Sequence, residues 1–114
     1  MAITEAYAGT KAVDTTEWSL TTNAAGPAAT VDTGVFQVFL DLSDMIAGDQ
    51  LQVRVYEKTR SGDTQRLITE NILTGAQGQP GWASPSMILI HGWDVTLDAL
   101  AGTITVLWSI RKVA

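Results

Sequence analysis

Turn-forming residues break this chain so often that no stretch remains for a long helix. Gly9, Gly26-Pro27, Gly34, Gly48-Asp49, Gly62-Asp63, the glycine-rich run 75–81, Gly92 and Gly102 punctuate it at short intervals. Glycine loses the most backbone freedom on entering a helix or strand, and proline removes a donor and fixes φ, so both mark element ends. Between the breaks, apolar residues recur at every second position or run continuously. Threonine occurs 15 times, often beside Val or Ile. Such β-branched side chains are stiff at χ1 and pack well on a pleated surface.

The pattern predicts about eight strands, at 3–8, 17–22, 35–42, 51–58, 64–73, 87–90, 93–97 and 103–113. In 35–42, Phe36, Val38, Leu40 and Leu42 share one face. Leu51, Val53 and Val55 point inward, with Gln52, Arg54, Tyr56 and Lys58 on the other face. Trp93, Val95 and Leu97 form an inward face, and so do Ile104, Val106, Trp108 and Ile110. Residues 60–64 read as a hairpin connection, which pairs 51–58 antiparallel with 64–73. Residues 100–103 carry a second hairpin signal. The segment 24–30 reads as a loop. Residues 43–48 read as one helical turn, capped by Ser43 and closed by Gly48 in a left-handed conformation. Residues 75–84 read as a surface loop with Trp82 near its end.

Many short strands joined by glycine-rich turns define the expected class: all-β, a single antiparallel β-sandwich of about eight strands, wired like a jelly roll or an immunoglobulin domain. No 20- to 50-residue period repeats, which argues against a solenoid or propeller. One domain is expected, with its body at 34–114. Residues 1–33 are weaker in pattern and rich in Ala and Thr, so they read as an N-terminal arm and first strands that order on assembly.

With 46% hydrophobic and 17% charged residues, the chain carries enough apolar surface for one core and is not of disordered composition. Cysteine is absent, which excludes disulfides, thiolate metal sites and a cysteine nucleophile. A net charge of −5 speaks against nucleic acid as a partner, because phosphate neutralisation needs excess Lys and Arg. No segment approaches the roughly 20 apolar residues of a membrane helix, so no membrane partner is expected. The opening Met1-Ala-Ile-Thr-Glu lacks the basic and apolar regions of a secretory signal, and synthesis in a cytoplasm is expected.

Catalytic chemistry finds little to stand on. His91, the lone histidine, has no Gly-x-Ser-x-Gly serine to activate and reads as a strand-end residue bound to backbone. Asp41, Asp44 and Asp49 cluster about the 43–48 turn, where aspartate caps backbone N–H groups. A twelve-residue calcium loop is absent, and the 75–81 run lacks the Lys-Ser/Thr of a phosphate loop. The chain is therefore expected to be no enzyme and to hold no cofactor or metal. Binding is more promising. Arg54, Lys58, Arg60 and Arg66 are four of the seven basic residues and all lie in one predicted hairpin, with Tyr56 between Arg54 and Lys58. Glu57 and Glu70 are near enough to pair with some of them. The group reads either as a solvated, salt-bridged face or as a patch for an acidic protein surface. Trp82 reads either as a lid on one end of the sandwich or as an exposed anchor for a sugar ring or interface.

Two blocks of sequence carry a family likeness. The first comprises Gly34-Val-Phe-Gln-Val-Phe-Leu-Asp-Leu, Ala47-Gly-Asp, Gln52-Val-Arg-Val-Tyr-Glu-Lys and Gly62-Asp-Thr-Gln-Arg. The second comprises Met87-Ile-Leu-Ile-His-Gly-Trp-Asp-Val-Thr-Leu and Trp108-Ser-Ile-Arg-Lys. Together they resemble the short β-rich virion proteins of tailed bacteriophages, with head-decoration (cement) proteins as the nearest functional description. The resemblance spans residues 34–113. It implies a homotrimer on the outer capsid surface that clamps neighbouring copies of the major capsid protein, and it brings no catalytic residues. A tail or fibre module that binds host glycan through exposed aromatics is the alternative.

Overall fold

The computed structural model describes residues 2–113. Ten strands follow one another: β1 (Ile3–Val13), β2 (Trp18–Ser19), β3 (Ala24–Ala25), β4 (Gly34–Asp41), β5 (Gln50–Lys58), β6 (Gln65–Thr74), β7 (Gly81–Ala83), β8 (Met87–Leu89), β9 (Asp94–Ala101) and β10 (Ile104–Val113). Among the described residues there is no helix. The strands form two antiparallel sheets. Sheet A runs β1-β10-β4-β7, with β8 also on β4, and sheet B runs β3-β2-β9-β5-β6.

The pairs are nested: β1 with β10, β2 with β9, β4 with β7 and β8, and β5 with β6. The chain is thus one long antiparallel ribbon, rolled so that β10 meets β4 and β9 meets β5. This is the jelly-roll wiring of a β-sandwich. The two-layer packing follows from the alternation, because β4, β5, β9 and β10 each have an apolar face that the opposite sheet covers.

The core lies between the sheets. Phe36, Val38 and Leu40 of β4, Leu51, Val53 and Val55 of β5, and Val95, Leu97 and Ala99 of β9 are buried. So are Ile104, Val106, Trp108 and Ile110 of β10. Trp93 stacks obliquely on Phe36 at 4.5 Å between ring centroids and meets Tyr7 edge-on at 6.0 Å. Both core indoles are satisfied: Trp93 Nε1 donates to the Asp32 carbonyl at 2.7 Å and Trp108 Nε1 to the Leu20 carbonyl at 3.1 Å.

Several sequence expectations are corrected here. The strand expected at 3–8 within the arm and first strands of 1–33 runs on to Val13 as β1, eleven residues paired along their length with β10 of the same chain, and Val13 and Leu20 are core residues. The 43–48 segment forms turns rather than helix: the Met45 amide donates to the Leu42 carbonyl and the Asp49 amide to the Ile46 carbonyl, although Gly48 does take a positive φ of 90°. The 100–103 turn joins β9 of sheet B to β10 of sheet A, so it is a crossing between sheets and no hairpin. The 24–30 and 75–84 segments contain the short strands β3 and β7. The first is anchored by buried Asp94, whose carboxylate accepts from the Ala28 amide at 2.7 Å and the Thr21 hydroxyl at 2.9 Å. Burial raises the Asp94 pKa, and these hydrogen bonds oppose the rise.

Candidate interaction surfaces

The β5–β6 hairpin forms as the alternation predicts, but it does not display one basic patch. Arg54 lies on the outer face of sheet B between two carboxylates. Its Nε donates to Glu70 at 3.0 Å, and its Nη1 stands 3.6 Å from Glu17. Tyr56 donates its hydroxyl to Glu17, and so does Thr96 at 2.5 Å. Burial and the neighbouring Glu17 raise the Tyr56 pKa, with Arg54 opposing. Lys58 lays its stem against Gly92, and its amide donates to the His91 carbonyl at 2.9 Å. Arg60, 81% exposed at the hairpin tip, pairs with Asp63 three residues on at 2.9 Å. Arg66 is exposed on β6 opposite Glu57. A bulge at Ile68, where Val55 pairs with Thr69 and Tyr56 with Leu67, turns Arg66 to the face opposite Arg54. Glu57 is itself engaged, accepting from the Ile90 and His91 amides at 2.7 and 3.0 Å.

The acidic turn is likewise committed to backbone. Asp41 accepts from the Ser43 amide at 3.0 Å, Asp49 from Ile46 at 3.0 Å and Asp44 from Thr105 at 2.7 Å. Among the described residues no three His, Cys, Asp or Glu side chains are grouped to hold a metal.

Trp82 sits apart from the hairpin cations. It belongs to β7 in the opposite sheet, pairs with Leu40, and is half-buried. It lines a cleft of about 380 Å³ that opens between β6 and the β7–β8 edge. The valines Val53, Val55 and Val95 floor this cleft, Thr69 and Asn71 line its β6 side, and Pro85 and Met87 stand beside Trp82. Among the described residues no charged side chain lines it.

Two further surfaces escaped the sequence reading. One is the edge of sheet B. β6 is ten residues long, has β5 as its sheet neighbour, and is exposed from residue 66 to 72, including Leu67, Ile68 and Ile72. The other is an apolar row across the outer face of sheet A. Ile3 pairs with Val113, Val113 with Val35, and Val35 with Ile88, and both end residues are largely exposed. β-Branched residues in strands were read as core signals, and only the register puts these four in one row.

Fold and surfaces together define a jelly-roll domain with exposed apolar faces. No family model matches the chain, and neither a curated protein nor a solved structure matches it.

Proposed function

We propose that the chain is a non-enzymatic structural protein of a bacteriophage virion, a capsid decoration protein that binds the major capsid protein on the outer shell surface as a homotrimer. The observation that carries this reading is the β6 edge. Along its ten residues the backbone groups that alternate away from β5 meet no further strand among the described residues, beside exposed Leu67, Ile68 and Ile72. Such an edge is a template for another chain unless it is covered. The apolar row on sheet A adds a second face of the same kind. The fold is compatible, since jelly rolls build viral shells as well as lectins, although fold alone assigns no function.

Sedimentation with empty capsids tests the reading directly, alongside the mass of the free protein in solution. Stable co-sedimentation and a trimer mass are expected, and both should be lost on Ile68→Lys and Ile72→Lys. A monomer that binds no particle overturns the proposal. The cleft beside Trp82 favours a second reading, a tail or fibre module that takes a neutral glycan, because an uncharged pocket with an aromatic wall suits a sugar ring. Selective binding on a glycan array, lost in Trp82→Ala, would support it.

A further inference from the structure

On the outer face of sheet B two acceptor oxygens are buried without partners. Gln52 and Asp98 face each other across β5 and β9 and are only 4% and 8% exposed. Gln52 Oε1 and Asp98 Oδ1 find no hydrogen-bond donor among the described residues. A buried oxygen left unpaired has lost its water without a replacement, so two side by side need a donor from elsewhere. The surroundings indicate which donor. Glu17, Glu70 and Asp98 form an acidic group with Arg54 as the cation among them, which leaves the spot negative. Exposed apolar groups stand nearby: Ile72, cross-strand from Gln52 and 51% exposed, and Leu100, left unpaired by the β9 bulge two residues beyond Asp98 and 47% exposed.

We propose that this spot is a docking site for a lysine or arginine side chain on the surface of a protein partner. The partner's cationic head donates to Gln52 Oε1 and Asp98 Oδ1, and its aliphatic stem packs on Ile72 and Leu100. Both side chains are more than nine-tenths buried, so the head reaches the oxygens once a neighbouring side chain swings aside. An acceptor pair collared by apolar residues has the build of an interface hot spot. The partner this selects is basic, opposite in sign to the acidic surface that the hairpin cations suggest. Burial raises the Asp98 pKa, Arg54 opposes, and Glu17 and Glu70 add to the rise; a bound cation brings it back down.

The inference rests on the chain being a protein-binding module, but not on the partner being a capsid. Isotope-labelled intact protein is titrated with N-acetyl-arginine amide and N-acetyl-lysine amide, and with KCl and MgCl2 at matched ionic strength. The signals followed are the Gln52 side-chain amide and the Asp98 carboxyl carbon. Saturable shifts at both sites are expected with the amino-acid amides, with a lower Asp98 titration midpoint, and no such shifts with the salts. In Asp98→Asn the shifts disappear and the melting temperature rises, because the new amide donates to Gln52. Absence of saturable shifts in the wild type, or equal shifts with either salt, overturns the proposal. So does a lower melting temperature in Asp98→Asn, which would mean that the Gln52 amide already donates to Asp98. Capsid sedimentation separates the two readings. Particle binding without saturable shifts would sink the side-chain site and spare the decoration role. Saturable shifts without particle binding would do the reverse.

Discussion

A single methyl group added at Gly9 tests whether β1 is part of the core. Gly9 stands in β1 directly opposite Trp108 of β10. A Cβ built there falls 2.6 Å from Trp108 Cζ2 and 3.0 Å from Cε2. Gly9 is not among the residues with positive φ, so alanine meets no backbone strain. Replacing a strand-interior glycine by alanine should by itself stabilise by about 0.5–1 kcal/mol. Packing acts the other way. Trp108 is buried and tethered through Nε1 to the Leu20 carbonyl, so it has little room to yield. Overpacking of this kind costs about 1–3 kcal/mol. The contact is close enough for the upper half of that range to decide, and Gly9→Ala is expected to lose about 1–2 kcal/mol net. With an unfolding entropy of about 2.1 cal/mol/K per residue over 114 residues, that lowers Tm by about 4–8 °C. Thermal unfolding by circular dichroism gives the shift and urea titration the free energy. The same substitution should cost less in a Trp108→Phe background, where the six-membered indole ring no longer fills the site. A Gly9→Ala protein that melts at or above the parent, or shows no coupling to residue 108, refutes the reasoning.

Three other outcomes are expected. Removing residues 2–13 takes away the whole β1–β10 ladder and Val13, so the truncated chain should lose cooperative unfolding; a sharp transition near the parent Tm would show that β1 is accessory after all. Arg54→Glu places a further carboxylate among Glu17, Glu70 and Asp98 and should destabilise by about 1–2 kcal/mol, whereas Arg60→Glu at the exposed tip should stay within about 0.5 kcal/mol of the parent. Urea midpoints of the two variants decide between this and an equivalent pair of surface cations. Lys112 holds the Asp32 carboxyl below its ordinary value of 3.8, helped by Tyr7 and the Thr33 amide and opposed by burial. A depressed carboxyl stabilises fully above its unfolded value and loses that contribution as pH falls through its folded one. Asp32→Asn should therefore narrow the gap to wild type in acid, and a stability difference unchanged from pH 7 to pH 2 would refute the pairing.

The fold was legible wherever alternation was strong. Leu51, Val53 and Val55, and Ile104, Val106, Trp108 and Ile110, take the faces that their spacing predicts, because a two-residue period leaves a strand one way to bury its apolar side. β1 was harder to read. Ala8 and Ala12 face outward, and inward-facing Gly9 carries no apolar signal because the space over it is filled by Trp108 from β10. β3 and β7 span two and three residues, too short for any period to show. The hairpin cations were found, but their charge balance was not. Glu17 reaches Arg54 only because β2 and β5 both pair with β9. Gln52 reads as part of the outer face and Asp98 lies beyond the strand expected at 93–97, so the spacing alone does not show that both are buried.

The nested ribbon also sets an order of assembly during synthesis. Its tip, the β5–β6 hairpin, is local and can close within about 1–10 μs of emerging. β1 has no such option, because the strand that covers it, β10, begins about 90 residues later. At about 5–20 residues per second, β1 stands unpaired for on the order of 5–20 s while the rest of the chain is made. Its composition suits that wait: Thr4, Glu5, Thr10 and Lys11 intersperse its small residues and leave little sticky surface for a neighbouring nascent chain. The nested pairing leads us to expect zippering outward from the hairpin tip, with the arrival of Trp108 over Gly9 among its last events.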